Sequence, residues 1–159
     1  MLHTGVNMDR ETLIQAIEEL PGHIEAALAG ATNAQLVHPY REGGWNARQV
    51  VHHLADSHMN AFIRSRLILT EDNPTLKPYD QDAWALLPDS CSGPLEPSLA
   101  ILRGLHTRWA KFFRSLPEEA WARQGMHPEN GPMTLAKILE DYSAHGLRHL
   151  EHIRIGLAG

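Results

Sequence analysis

The chain has 159 residues, of which 43% are hydrophobic and 21% charged, so we expect residues 1–159 to form one globular domain rather than a disordered or fibrous chain. The formal net charge is -5, and no basic run offers the surface that would neutralise successive phosphates, which argues against a nucleic-acid partner. Cys91 is the single cysteine, and there is neither a signal-like N-terminus nor an apolar run of membrane length, so we expect a cytoplasmic protein without disulfides or a membrane partner.

The first helical segment is indicated by apolar residues that recur at spacings of three and four. Asp9 is a suitable N-cap for this helix, and Pro21 inside the pattern is expected to kink or break it. The positions on its apolar face are Leu13, Ile14, Ile17, Leu20, Ile24 and Leu28. This face predicts a helix that packs against a hydrophobic core.

A second helix is predicted after the loop His38–Trp45. Asn46 can cap it, and the pattern continues to about Thr70, before Asn73 and Pro74 end it. A Pro-rich connection, Pro74–Pro97, follows, with a possible helical turn around Asp80–Leu87. Connections of this length within a compact domain are usually functional or mobile, so this one is a candidate cover for a site.

The third and fourth helices complete the predicted fold. The third is expected from about Leu95 to Leu116, and the fourth opens near Met133 and runs to about Ile155. Strand-like alternation is not evident. The sequence therefore predicts an all-α protein, a four-helix bundle with a long crossover connection, and such bundles build metal sites from inward-facing side chains of neighbouring helices.

Histidine is the most informative residue type, since it occupies 11 of the 159 positions. His145 and His149 are four residues apart, so on a helix both imidazoles lie on one face and could bind a common ion. The apolar stripe that includes Ile138 and Tyr142 runs into these positions, which predicts that the two rings point into the bundle. Hydrogen-bonded core histidines are the alternative interpretation.

A third ligand would have to come from another helix. His53 is a better candidate than His52, because it shares a helix face with Val50 and Ser57. Three neutral imidazoles with an open fourth position are typical of a catalytic metal site, whereas structural zinc sites are closed by four protein ligands. The pattern therefore favours chemistry at the metal.

Several motifs, spread over nearly the whole chain, resemble the DinB/YfiT-like metalloenzyme superfamily, and its YfiT branch closely. They are GGWNARQVVHHLADSHMN at Gly43–Asn60, the following TEDNP and KPYDQDAW, LHTRW at Leu105–Trp109, the pair His127–Pro128, and YSAHGLRHLEHI from Tyr142. Ala144 and Arg148 depart from residues that are usual in relatives. His152 matches a recurrent histidine and is expected to support the site by a hydrogen bond or a fourth contact.

This resemblance implies a fold, a metal site and an assembly. The fold is a four-helix bundle, often a homodimer, and the three-histidine site falls on His53, His145 and His149. The implied cofactor is one divalent metal ion per chain, with zinc as the first expectation and nickel or another transition metal as alternatives, because imidazole suits several of these ions.

Two reactions and one non-catalytic role remain open. Relatives of this branch look like bacillithiol S-transferases, which would join a low-molecular-weight thiol to an electrophilic small molecule. The first alternative is a metal-dependent hydrolase that uses metal-bound hydroxide. The second alternative is a non-catalytic metal-binding module. The absence of the HExxH motif, which supplies a helical hydrolase with its base, favours the transferase.

Candidate auxiliary residues surround the predicted ligands in the sequence. Asp56, three residues after His53, and Asp141, four before His145, could orient those imidazoles or act as a base, although solvated helix carboxylates are equally common. The arginines that could bind carboxylates of a thiol cosubstrate are Arg48, Arg64 and Arg148. Within the Pro74–Pro97 connection, Tyr79 and Trp84 are expected to help close the site.

Overall fold

The structure is a computed structural model that describes residues 9–159, and four long helices make up its frame. In chain order the elements are α1 (Arg10–Leu28), α2 (Asn33–Leu36), α3 (Ala47–Thr70), α4 (Gln81–Ala85), α5 (Pro88–Cys91), α6 (Glu96–Arg114), a 3₁₀ helix (Glu118–Ala122), β1 (Gln124–His127), β2 (Gly131–Thr134) and α7 (Leu135–Ala158). The predicted four-helix bundle is confirmed. The connection from α3 to α6 is the long crossover, and it contains α4 and α5.

Side-chain caps set where the long helices begin. Asp9 accepts hydrogen bonds from the first turn of α1, as predicted. The Asn46 side chain accepts from the backbone N–H of Gln49, and the Gln49 side chain accepts from the backbone N–H of Asn46, so α3 opens with a capping box. Thr134 caps α7 in the same way as Asp9 caps α1. The helix starts, and with them the faces that point inward, are therefore fixed locally.

The long helices form a square in cross-section. Helix α1 packs against α6 and α7, and α3 packs against the same two helices, so α1 and α3 lie at opposite corners. The core falls into two apolar clusters. One contains Trp109, Phe113 and Ile138, and the other contains Leu54 and Ile153. Between these clusters along the helices lie buried histidines, so a polar layer crosses the middle of the bundle.

Helix α1 continues through Pro21 to Leu28, so the expected break does not occur. Proline has no backbone N–H, and the carbonyl oxygen of Ile17, four residues earlier, therefore loses its usual helical donor. That carbonyl is buried in the bundle and accepts a hydrogen bond from a side chain of α6 instead.

The prediction that strands are absent was wrong in one place. Strands β1 and β2 form a short antiparallel hairpin in which Gln124 pairs with Thr134, and α7 begins only after it. Gly125 lies so close to the connection that a Cβ atom there would come within 2.9 Å of the carbonyl oxygen of Pro74. Two four-residue strands are too short to show a period of two, so periodicity could not reveal them.

The long connection is tied to α3 by side-chain hydrogen bonds. Arg64 donates to the carbonyl oxygen of Lys77 at 2.5 Å, and Gln49 donates to that of Ala85 at 3.0 Å. The second bond holds the end of α4 beside the first turn of α3, and the first holds the segment before α4 further along the same helix. No helix among residues 9–159 has the length and hydropathy needed to cross a membrane.

Candidate metal centre

Three histidine rings from two helices meet inside the bundle. His53 of α3 and His145 and His149 of α7 place ligand atoms within 4.8 Å of one another. The Nε2 atoms of His53 and His145 are 3.3 Å apart. Two nitrogens bound to one tetrahedral zinc ion at its usual bond length would be about 3.3 Å apart. The donor set and its spacing therefore fit a divalent ion.

A small residue next to His145 allows α7 to approach α1. A Cβ atom at Gly146 would come within 2.6 Å of the Cδ2 atom of Leu20. Glycine is unfavourable within a helix, so its presence here is explained by the close packing of the two helices. The approach sets the depth of His145 within the bundle.

All three rings are neutral near pH 7, chiefly because they are buried. Burial, with a contribution from Arg148, lowers the pKa of His53 to about 4. Burial and the neighbouring rings lower the pKa of His145 to about 3 and that of His149 to about 2. A neutral imidazole is the form that donates a lone pair to a metal. The cluster is therefore ready to bind an ion without first releasing protons.

A cavity of about 370 Å³ opens onto His145 and His149. The ring of Trp45 borders it, with its centroid 4.6 Å from that of His53 and 6.3 Å from that of His149. The other lining residues are Tyr40, Arg41, Gly43, Gly44, Gln81, Asp82, Arg148 and His152. Gln81 and Asp82 belong to the long connection, so this segment borders the site, as predicted.

His152 supports the cluster from the side. Its Nδ1 atom lies 3.2 Å from Nδ1 of His149, and its ring stacks on Tyr40 with centroids 4.1 Å apart. His152 is not part of the group of three whose ligand atoms converge. Of the two expected roles, the hydrogen bond is the one that the geometry provides.

The two predicted carboxylates lie apart from the cluster. Within residues 9–159, neither Asp56 nor Asp141 hydrogen-bonds to any of the three histidines, and Asp141 pairs with Lys137 at 3.0 Å. Burial, followed by the charge of Asp89, raises the pKa of Asp56 to about 6. The orienting position expected for Asp141 is held by His58, whose Nε2 atom lies 3.0 Å from Nδ1 of His145.

The three predicted arginines have different surroundings. Arg148 is exposed and lines the cavity above the cluster. Arg48 instead ties α3 to the connection, since it donates to the carbonyl oxygen of Gly93 at 2.7 Å. Arg64 is buried beside the connection. Arg41, which the sequence did not single out, joins Arg148 at the mouth of the cavity.

A second cavity, of about 440 Å³, reaches His145 from another side. Tyr79 and Tyr142 both line it, and burial raises the pKa of each phenol. Trp84 packs against Tyr79 with the two rings tilted and their centroids 4.5 Å apart, but it lines neither of the cavities that reach the cluster. The expectation that Trp84 helps to close the site is therefore corrected, whereas Tyr79 does border it.

His52 faces away from the cluster. Its Nδ1 atom lies 2.6 Å from Oγ of Ser98, and its Nε2 atom lies 3.2 Å from the carbonyl oxygen of Gly93. The ring therefore joins α3 to the region around the start of α6, which is a structural role. The choice of His53 over its neighbour agrees with this arrangement.

Sequence reasoning did not assign two buried histidines to the site. His58 and His106 are fully buried, and their rings stack with centroids 4.9 Å apart. A signal was present, because His106 stands between Leu102 and Trp109 on the apolar stripe of α6. Periodicity shows that such a residue points inward, but it does not show which ring it meets.

The fold and the cluster define a four-helix bundle with a three-histidine candidate metal centre, and the chain belongs to the DinB superfamily, whose sequence model matches residues 15–153. Proteins of Bacillus cereus strain 03BB102 and of Bacillus thuringiensis subsp. konkukian are each 48% identical over 143 residues, which cover 90% of this chain and 82% of theirs. Both carry the name "Putative metal-dependent hydrolase".

Two solved structures are similar to this one. YfiT from Bacillus subtilis, described as "a probable metal-dependent hydrolase with an unusual four-helix bundle topology", has a TM-score of 0.89 and 42% identity, over 96% of this chain and 88% of that chain. TT2238, a four-helix bundle protein, has a TM-score of 0.56 and 20% identity, over 90% of this chain and 96% of that one, and supports the fold alone. The relatives and the cluster together support a divalent metal as the cofactor.

Proposed function

We propose that this chain is a metal-dependent S-transferase that joins a low-molecular-weight thiol, such as bacillithiol, to an electrophilic small molecule. His53, His145 and His149 would hold the metal, with zinc as the first choice because neutral imidazoles and sulfur both suit it. A divalent ion held by neutral ligands lowers the pKa of a thiol that binds to it, so the sulfur becomes a nucleophile near pH 7. The new sulfur–carbon bond would form as the electrophile loses its leaving group, with the thiol proton released to solvent, or as its epoxide ring opens, with a proton taken up by the resulting alkoxide.

The observation that carries this proposal is the charge at the cavity. Arg41 and Arg148 stand at its mouth, and within the described residues no carboxylate hydrogen-bonds to the three histidines. The positive charge of Arg148 is close enough to lower the pKa of all three rings. Guanidinium groups pair well with carboxylates, so this mouth suits an anionic thiol cosubstrate.

The walls of the cavity can also limit access of water. Trp45 packs against His53 and His149 on one side, and Gln81 and Asp82 of the connection lie on another. A dry site strengthens the electrostatic attraction between arginine and substrate. Exclusion of water favours transfer to the thiol over hydrolysis of the electrophile.

The alternative is hydrolysis, in which an activated water would attack an ester, amide or related bond. Two observations support it, namely the names of the relatives and the presence of Asp82 in the cavity wall, where its carboxylate could serve as a base. A non-catalytic metal-binding module is less well supported, because a purely structural site would be closed rather than open to a cavity of about 370 Å³.

The deciding experiment compares the two reactions on the same preparation. Protein loaded with zinc or nickel is incubated with a chromogenic aryl halide or an epoxide, with and without each member of a panel of small thiols, and separately with a panel of esters and amides. We expect consumption of the electrophile only when thiol is present, and an adduct whose mass includes the thiol sulfur. His149→Ala protein treated in the same way should be inactive.

Two results would contradict the proposal. Cleavage of esters or amides without thiol, unchanged by every thiol in the panel, would establish the hydrolase instead. Binding of metal without turnover of either panel would favour the non-catalytic module. The transferase therefore has a distinct outcome from both alternatives.

We also propose that the protein is a homodimer, on the basis of the family resemblance. Light scattering at dilute concentration should give about twice the 17.8 kDa mass of one chain. A mass near that of one chain would contradict the dimer and would leave the proposed chemistry unaffected.

A further inference from the structure

A hydrogen-bonded chain of three histidines leads from the candidate metal centre into the buried interior of the bundle. Nδ1 of His145 lies 3.0 Å from Nε2 of His58, and Nδ1 of His58 lies 2.8 Å from Nε2 of His106. Nδ1 of His106 then lies 2.5 Å from the carbonyl oxygen of Ile17. The chain passes through α7, α3, α6 and α1, so it joins all four long helices.

The carbonyl oxygen of Ile17, at the end of the histidine chain, fixes the donor and the acceptor of every hydrogen bond in that chain. A carbonyl oxygen can only accept, so Nδ1 of His106 must carry a hydrogen. A neutral imidazole has one donor and one acceptor, so Nε2 of His106 accepts from Nδ1–H of His58. Nε2 of His58 in turn accepts from Nδ1–H of His145. The hydrogen of His145 is thereby placed on Nδ1, and its Nε2 keeps a free lone pair.

The neutral state of the chain follows from its surroundings. His58 and His106 are each 0% exposed, and the hydrogen-bond partners found for their ring nitrogens are other imidazoles and one carbonyl oxygen. A charged ring in such a place, without an opposite charge, would cost several kcal/mol or more. Water has no access to replace either partner.

Pro21 supplies the acceptor at the end of the chain. In an uninterrupted helix the carbonyl oxygen of Ile17 would accept from the backbone N–H of residue 21, but proline lacks that hydrogen. The carbonyl is therefore free to accept from His106. Pro21, which removes one backbone hydrogen bond from α1, thus leaves the carbonyl oxygen of Ile17 as an acceptor for the polar layer of the bundle.

We propose that the chain Ile17–His106–His58–His145 holds His145 in its Nδ1–H tautomer, so that Nε2 is presented to the metal. His58 and His106 are then positioning residues that act through His145. This inference rests on the proposed metal site. Free Nε2 of His145 is the atom that lies 3.3 Å from Nε2 of His53, which is where a shared ion requires it.

The histidine chain orients a proposed metal ligand, a role that a carboxylate usually has. Histidine ligands commonly donate their second N–H to a carboxylate or carbonyl, which fixes the tautomer and the ring orientation. Here a neutral imidazole accepts that bond, so the orientation is fixed without adding negative charge next to the metal. A divalent ion held there would keep its full positive charge, which is what acidifies a thiol or water.

Nitrogen-15 NMR of the metal-free protein tests the direction of the chain. Ring nitrogens that carry hydrogen have different shifts from those that do not, and single His→Phe variants assign the signals. We expect His145, His58 and His106 all to show hydrogen on Nδ1, although an unconstrained neutral histidine favours Nε2. Hydrogen on Nε2 of any of the three would overturn the proposal.

Metal affinity, measured by competition with a chromophoric chelator, tests the consequence. His106→Phe removes the end of the chain and should weaken binding by about 10–100-fold, while signals of both His145 tautomers appear. His106→Gln keeps one donor and one acceptor and should restore much of the affinity. His52→Phe is the matched control, because it removes another buried histidine outside the chain, and its affinity should stay near that of the wild type.

The outcomes separate this inference from the proposed function. Equal losses of affinity in His106→Phe and His52→Phe, with His145 unchanged in tautomer, would reduce the chain to ordinary core packing and overturn it. Wild-type protein with the expected tautomers but no affinity for any divalent ion would support the chain and refute the metal site instead. Where a His→Phe variant fails to fold, through-space contacts between neighbouring rings assign the wild-type signals, so the direction of the histidine chain is still decided.

Discussion

The two sides of the His145 ring differ in burial, in hydrogen bonding and in nearby charge. On the Nδ1 side lie His58 and His106, fully buried, and on the Nε2 side lies the cluster, open to a cavity whose mouth carries Arg41 and Arg148. The closed side offers fixed hydrogen bonds, whereas the open side offers room and positive charge. In the proposed site, histidines would therefore serve both as ligands and as residues that orient a ligand, and the burial of each ring and the partners of its nitrogens distinguish the two roles.

Loss of a proposed ligand is the most severe test of the open side. His53→Ala, His145→Ala and His149→Ala should each lose most of the bound ion, because two imidazoles rarely hold a divalent ion against solvent. Elemental analysis of the purified proteins, with circular dichroism to confirm folding, measures this. His52→Ala should retain the metal, and full retention in two of the three ligand variants would exclude the site.

Acid titration of the metal-free protein tests the closed side. Burial lowers the pKa of His106 from 6.5 to about 4, so below pH 6.5 the unfolded chain binds a proton that the folded chain does not. The free energy of unfolding should therefore fall as pH decreases from 6.5 to 4, by up to about 3 kcal/mol for this residue. Urea unfolding at a series of pH values measures the slope, which should be smaller in His106→Phe.

The raised pKa of Asp56 works in the opposite direction. Its folded value of about 6 lies above its ordinary value of 3.8, so its protonated form stabilises the fold at low pH and that contribution is lost as pH rises through 6. Asp56→Asn is therefore a useful background for the titration, and the acid-induced loss of stability should be steeper in it. An identical slope with and without His106 would contradict the neutral buried layer.

A moderate effect is expected from the charge at the open side. Arg148→Gln should raise the KM of an anionic thiol by about 5–10-fold, equivalent to about 1 kcal/mol, and leave metal content unchanged. Arg154→Gln is the matched control, since Arg154 lies on the same helix but does not line the cavity. Steady-state kinetics with charged and uncharged thiols measures the difference, and equal effects of the two variants would remove the cavity charge as a cause.

Pro21→Ala should have the smallest effect on metal affinity, and it tests the last hydrogen bond on the closed side of His145. The new N–H at position 21 would compete for the carbonyl oxygen of Ile17, which can accept two bonds, so metal affinity should fall by less than about tenfold. Helix propensity predicts that stability is maintained or increased. Chelator competition and thermal unfolding, measured together, separate the two consequences.

The sequence predicted the helices well because their signals are local. Asp9 and Asn46 cap helices as expected, and the four-residue spacing of His145 and His149 placed both rings on one face. The hairpin β1–β2 was missed because its pairing joins segments too short to show a period.

The hydrogen-bonded chain of His145, His58 and His106 was missed for a different reason. It joins four helices, and its bonds depend on how deeply each helix is set against its neighbours. Pro21 was recognised as a helix breaker, but its effect on Ile17 and His106 appears only when α1 and α6 are packed together. Local patterns therefore predict which rings point inward, and packing determines which atoms they meet.

The polar layer between the two apolar clusters also constrains how the bundle can assemble. Leucine and isoleucine side chains can exchange neighbours when a helix slides along its axis, so apolar clusters alone specify axial alignment weakly. A slide of one helix by one turn, about 5.4 Å, would break the hydrogen bonds that this helix makes in the histidine layer and leave their donors and acceptors buried without partners. The layer therefore fixes the axial alignment of α1, α3, α6 and α7. It raises the free energy of misaligned bundles during folding, before any ion has bound.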